Sequence, residues 1–164
     1  TNQESGAAFQ AIGLRVLDYY LNAPPFDWLA GYTQRMARVD SMMAAENRAT
    51  AAARDSMSKP SLPLARYATT YEDAWYGTVT VTLENGGLVM KFDKTPSLVG
   101  DMIHWQYDTW LGKWRDRELR ADAFVTFTLN EEGKVAGASM KPASPEVDFS
   151  FDCQDLDLRP AVKQ

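Results

Sequence analysis

The chain has 164 residues, 45% hydrophobic and 24% charged, with a net charge of -5. That length suits one compact domain plus attachments and is enough to bury a core, while the acidic balance excludes an electrostatic draw toward nucleic acid or an anionic membrane. A single cysteine, Cys153, excludes an intrachain disulfide and a cysteine-based zinc site, and no apolar run is long enough to span a membrane.

The chain begins at Thr1 with no visible leader, and we expect it to be a piece whose catalytic counterpart lies upstream. After a polar, turn-like start, Phe9, Ile12, Val16, Leu17, Tyr20 and Leu21 recur at helical spacing, and Asn22, Pro24 and Pro25 stop the pattern. A helix this short and this apolar on one side has to dock on something. A second helix is predicted from about Asp27 to about Met57, with Leu29, Tyr32, Met36, Val39 and Met43 as its stripe. Arg35, Arg38, Glu46 and Arg48 read as its solvated face. The stretch Ser58-Lys59-Pro60-Ser61-Leu62-Pro63 reads as a linker, because paired prolines break any regular element.

Beyond the linker the period changes to two. A first strand is predicted at Tyr67–Tyr71 and a clear one at Tyr76–Glu84, where three threonines alternate with Val79, Val81 and Leu83. Asn85-Gly86-Gly87 supplies the positive φ angles of a tight hairpin, and Leu88, Met90 and Phe92 return as its partner. Thr95–Met102 reads as a loop. The stretch Ile103–Trp114 then reads as one long strand with two apolar faces, Ile103, Trp105, Tyr107 and Leu111 against His104, Trp110 and Trp114. We expect Trp105 and Tyr107 to point inward and Trp110 or Trp114 to lie under a helix, loop or partner. A charged connection follows, then strands at Phe124–Leu129 and Lys134–Met140 around the Asn130–Gly133 turn, and a last strand at Val147–Phe151. Seven or eight strands joined by short turns make an antiparallel meander. With no edge protection, closure into an up-and-down barrel behind two helices is the expected fold, mainly β.

No catalytic residue is assigned. Ser56-Met57-Ser58-Lys59 matches a Ser-x-x-Lys pairing and Tyr20-Leu21-Asn22 a Tyr-x-Asn, but the order is reversed and Ser56 runs into Pro60. His104 and Asp108 would stand about 13 Å apart on one straight strand, too far to pair, so His104 reads as structural. Asp148, Asp152, Asp155 and Asp157 have no glycine to fold them around calcium, and Cys153 has no basic neighbour to activate it. No metal or cofactor is expected. The aromatics could instead line a cavity for a small lipophilic ligand, with Phe92, Trp105, Tyr107, Phe127 and Phe149 as the candidate lining.

Several segments together resemble a known family. They are Tyr71-Glu72-Asp73, Tyr76-Gly77-Thr78-Val79-Thr80-Val81, Asn85-Gly86-Gly87-Leu88, His104-Trp105-Gln106-Tyr107-Asp108-Thr109, Asp148-Phe149 and Asp155-Leu156. In this order they resemble the lipocalin-like domain of unknown role at the C-terminus of β-lactamase-related, penicillin-recognising serine hydrolases, over roughly Leu64 to Leu158. The resemblance implies that residues 1–25 are the closing helix of an absent hydrolase domain, 26–63 a helical connector and linker, and 64–164 the barrel. It further implies an upstream hydrolase domain as partner and a bacterial periplasmic or other extracytoplasmic location, and it places no catalytic residue on this chain. The apolar stripe of the first helix also suggests a homodimer.

Overall fold

A computed structural model describes residues 6–145, 147, 151 and 153–161. The chain divides into two units, Thr1–Thr50 and Ala51–Gln164. In the first unit, α1 (Gly6–Leu21) covers the predicted stripe. Asn22 ends it in a left-handed conformation at φ 49°, and the Ala23 amide turns back onto the Asp18 carbonyl at 2.9 Å, which satisfies a carbonyl the helix leaves free. Asp27 starts α2 (Trp28–Ala52), its carboxylate accepting from the Ala30 amide at 2.9 Å. The Trp28 indole donates to the Asp18 carboxylate at 2.6 Å, which ties the two helices together. Arg35, Arg38, Glu46 and Arg48 are exposed, as expected of a solvated face.

The second unit is a closed barrel of eight antiparallel strands, each paired with its sequence neighbours. They are β1 (Thr70–Asp73), β2 (Gly77–Glu84), β3 (Gly87–Phe92), β4 (Val99–Gln106), β5 (Thr109–Trp114), β6 (Ala123–Leu129), β7 (Val135–Pro142) and β8 (Asp157–Pro160). Alternation places Val79, Val81, Met90, Val125, Met140 and Leu158 in the core, as a strand with one buried face requires. Asn85 and Gly86 take φ 49° and 82°, the paired positive angles that a two-residue hairpin needs.

Four expectations are corrected. The second helix stops at Ala52 rather than Met57, because Arg54 and Asp55 leave the helical path to bond the barrel. The first strand begins at Thr70. Leu64–Arg66 forms a 3-10 turn instead, which carries the Tyr67 ring into the core. Ile103–Trp114 is a hairpin, β4 and β5, and not one strand, and β4 already begins at Val99, so the second half of the expected Thr95–Met102 loop pairs with β3. Tyr107, at φ 46°, and Asp108 make its turn, with a bulge between His104 and Gln106. Its two faces separate as predicted, but which face is inside is reversed. Trp110 and Trp114 are 1% and 2% exposed, whereas Ile103 is half exposed and Tyr107 is 58% exposed.

The fourth correction concerns closure. The barrel is closed by β8, which pairs Ala138 with Leu158 on one side and Tyr71 with Pro160 on the other. Of the predicted strand Val147–Phe151, Val147 and Phe151 lie in bends and pack on the core from outside the sheet, and Phe149 lies outside the described residues. Alternating apolar residues in a connecting loop mimic a strand when they cover a barrel end.

Candidate functional site

The two ends of the barrel are chemically different. At the end carrying the tight hairpins, an aromatic plug closes the interior. Tyr67 packs against Trp110 at 4.5 Å and Phe127 at 5.1 Å between ring centroids, and Phe127 also meets Trp110 at 5.3 Å and Tyr71 at 5.7 Å. The Tyr71 hydroxyl donates to the Tyr67 carbonyl at 2.8 Å, so the plug carries its own polar satisfaction. Burial pushes the Tyr71 phenol well up, and burial together with the hydrogen bond to Asp108 pushes Tyr67 up to about 12.

Outside the plug, residues 53–63 run along the barrel as a strap on the β4–β5 hairpin. Arg54 donates to the Trp105 carbonyl at 2.6 Å and the His104 carbonyl at 3.0 Å, and its guanidinium lies 4.9 Å from the Trp105 ring centroid. The Asp55 amide donates to the Gln106 side chain at 2.9 Å, and the Tyr107 hydroxyl donates to the Asp55 carboxylate at 3.0 Å. Ser58 Oγ accepts from the Tyr107 amide at 3.0 Å. Asp108 accepts from the Ser61 amide at 2.8 Å, the Ser61 hydroxyl at 2.7 Å and the Tyr67 hydroxyl at 2.5 Å. Partial burial opposes ionisation of Asp108, but the Tyr67 and Ser61 bonds and the nearby His104 outweigh it and hold its carboxyl below the usual range.

The strap answers what covers the outer aromatic face. Trp105 lies between Arg54 and the Phe124 ring at 4.9 Å, outside the barrel, and so not among its inner side chains. Tyr107 is likewise on the outside, bonded to Asp55. Of the expected lining, the structure brings Phe92 and Phe127 into the core, at opposite ends. His104 does not span a straight strand to Asp108, because the turn folds the two back toward each other. Its Nε2 lies 2.8 Å from the Tyr107 carbonyl and its ring packs 5.6 Å from Trp110. Ser56 sits in an exposed turn, and no group of three or more potential metal ligands occurs among the described residues.

At the other end, the longer connections surround a pocket of about 300 Å³. Its floor is Phe92 against Trp114, 5.9 Å between centroids, and Gly100 leaves the room that the Trp114 ring occupies. Trp75 and Tyr76 come from the β1–β2 turn, Leu98 from the β3–β4 loop, Met140 from the end of β7, and Phe151, Cys153 and Leu156 from the β7–β8 connection. Sequence reasoning missed this grouping. Its residues lie far apart in the chain and share a site only because every second loop of an up-and-down barrel falls at the same end. The strap was missed for another reason: its Arg, Asp and Ser composition is that of a solvated linker.

A family model described as a domain of unknown function, DUF3471, matches residues 53–160. The solved C-terminal domain of penicillin binding protein Rv0907 is similar at 20% identity and a TM-score of 0.46, over 63% of this chain and 88% of that one. No curated protein matches the chain.

Proposed function

The chain belongs to the DUF3471 family, and we propose that it is a non-catalytic accessory domain of a β-lactamase-related serine hydrolase, following the catalytic domain in the same polypeptide and shaping access to its active site. The strap carries this reading. Residues 53–63 are bonded along the barrel rim by Arg54, Asp55, Ser58 and Ser61, so the segment that leads into the barrel is part of its fold and not a free linker. The polar side chains that could do chemistry there are engaged structurally. Ser58 Oγ accepts from the Tyr107 amide and donates to the Asp55 carbonyl at 2.7 Å, and His104 faces a backbone carbonyl. A periplasmic or other extracytoplasmic place goes with this reading. Among the described residues no helix is long and apolar enough to cross a membrane.

The test is turnover. The chain alone and the longer polypeptide containing it are assayed against a chromogenic ester, a β-lactam and a D-amino-acid amide. We expect activity only from the longer polypeptide, with a changed KM when Arg54 is replaced by alanine in it. Turnover by the chain alone sinks the reading. A second reading, as an assembly module, is favoured by one observation: Phe9, Ile12, Val16 and Tyr20 of α1 are each at least half exposed.

A further inference from the structure

We propose that the pocket at the loop-bearing end of the barrel binds a compact, flat, apolar small molecule built on aromatic rings. Its walls set the class. Trp75, Tyr76, Phe92, Trp114 and Phe151 line it, together with the sulfur-bearing Met140 and Cys153. Sulfur and ring edges favour a π-faced occupant over a polar one. Among the described residues of the lining, the only charged one is Lys94. Its stem lies across Gly77, within 3.2 Å of where a Cβ would sit, so it contributes methylenes to the wall while its ammonium stays in solvent.

The floor sets the shape. Phe92 and Trp114 close the pocket from below, and beneath them Val81, Met90, Val125 and the aromatic plug fill the barrel axis. A long alkyl chain therefore has nowhere to extend, whereas about 300 Å³, at the small end of ligand pockets, accommodates about two rings. Trp75 adds a platform at the rim. It is 92% exposed, a costly state for an indole, and the backbone of its turn is fixed. Asp73 accepts from the Trp75 amide at 2.8 Å and the Tyr76 amide at 2.9 Å, and from the Asp157 amide at 2.9 Å, which pins the turn to the start of β8. A bare ring carried on a pinned turn is presented at the pocket rim for stacking, and only its side-chain torsions remain to be ordered on binding. The proposal is independent of the accessory role, and hydrolase assays leave it untouched.

The experiment uses the full chain and the neutral two-ring fluorophore Prodan, a substituted naphthalene. We expect saturable binding with enhanced emission. Cys153 is the chain's one cysteine and lines the pocket, so bound fluorophore should slow its labelling by a maleimide about tenfold. Trp75→Ala removes the platform and Thr95→Trp fills the rim. Both positions are exposed, so both variants should keep the parent melting temperature and bind about tenfold more weakly. Absence of saturable binding overturns the proposal. So does binding that both variants leave unchanged, or that leaves Cys153 labelling as fast as before, because the fluorophore then sits elsewhere. Equal protection of Cys153 by dodecanol would overturn the assignment to flat ring systems. Where the buried thiol reacts too slowly to follow, the two variant affinities decide.

Discussion

Asp108 stands where strap, plug and hairpin meet, and its carboxylate accepts from Ser61 twice and from Tyr67 once. Asp108→Ala leaves the Tyr67 hydroxyl and the Ser61 donors without that acceptor, so we expect a loss of about 2–4 kcal/mol by urea denaturation at neutral pH. The pH dependence has a definite sign. The folded carboxyl titrates below its unfolded value of about 3.9, so the folded state binds fewer protons as pH falls through that range. Its contribution is therefore complete above about pH 5 and is lost as pH drops through the folded pKa, and the gap between parent and variant should close in acid. None of this was legible in the sequence. The His104–Asp108 separation assumed a straight strand, and Gln106-Tyr107-Asp108-Thr109 has no glycine, proline or asparagine to announce a turn. Tyr107 takes a left-handed φ in this turn, and the strap bonds both its amide and its hydroxyl.

Among the elements, the strap and the close-packed strands make separate predictions. Arg54→Ala removes two donors to backbone carbonyls and the guanidinium over Trp105, a loss of about 1–2 kcal/mol. The barrel keeps its own sheet, so the change should appear locally, as faster limited proteolysis between residues 53 and 63. Unchanged cleavage there would mean that the strap is held by something else. Two glycines report on packing. A Cβ at Gly137 would meet the Leu158 backbone oxygen at 2.8 Å, and one at Gly100 would meet the Trp114 ring at 2.7 Å. Gly137→Ala must displace backbone in the strand that closes the barrel. Gly100→Ala can be absorbed in part by moving the Trp114 ring. We expect about 1–3 kcal/mol for each, with Gly137 the larger, measured by chemical denaturation. The strand β8 was not read from the sequence, for a related reason. β8 is short, with Leu158 its one buried residue, so its pairing with β7 and β1 is set by closure rather than by its own pattern.

The chain as a whole joins a barrel with a packed core to a helical unit that buries little, α2 having no buried residue and α1 only Ala11. An apolar helix face this open is a candidate for self-association. We expect the chain to sediment as a concentration-dependent dimer and Ile12→Ser with Val16→Ser to return it to monomer. A clean monomer at high concentration would count against an assembly role. Local chemistry was enough for much of the architecture: helical spacing marked α1, period two marked β2 and β3, and Asn85-Gly86 marked their turn. Short connections between successive strands implied a meander, and an unprotected meander implied closure, which is the barrel observed. What only the tertiary structure decided is which side of each element matters. A period of two separates the residues of β4 and β5 into two faces but does not say which one is inside, and both faces are aromatic. That choice rests on contacts distant in sequence: Gly100 making room for Trp114, Tyr67 and Phe127 closing over Trp110, and Arg54 covering Trp105. The plug, the strap and the pocket all depend on such pairings, and chain order alone does not encode them because closure brings every second loop to the same end.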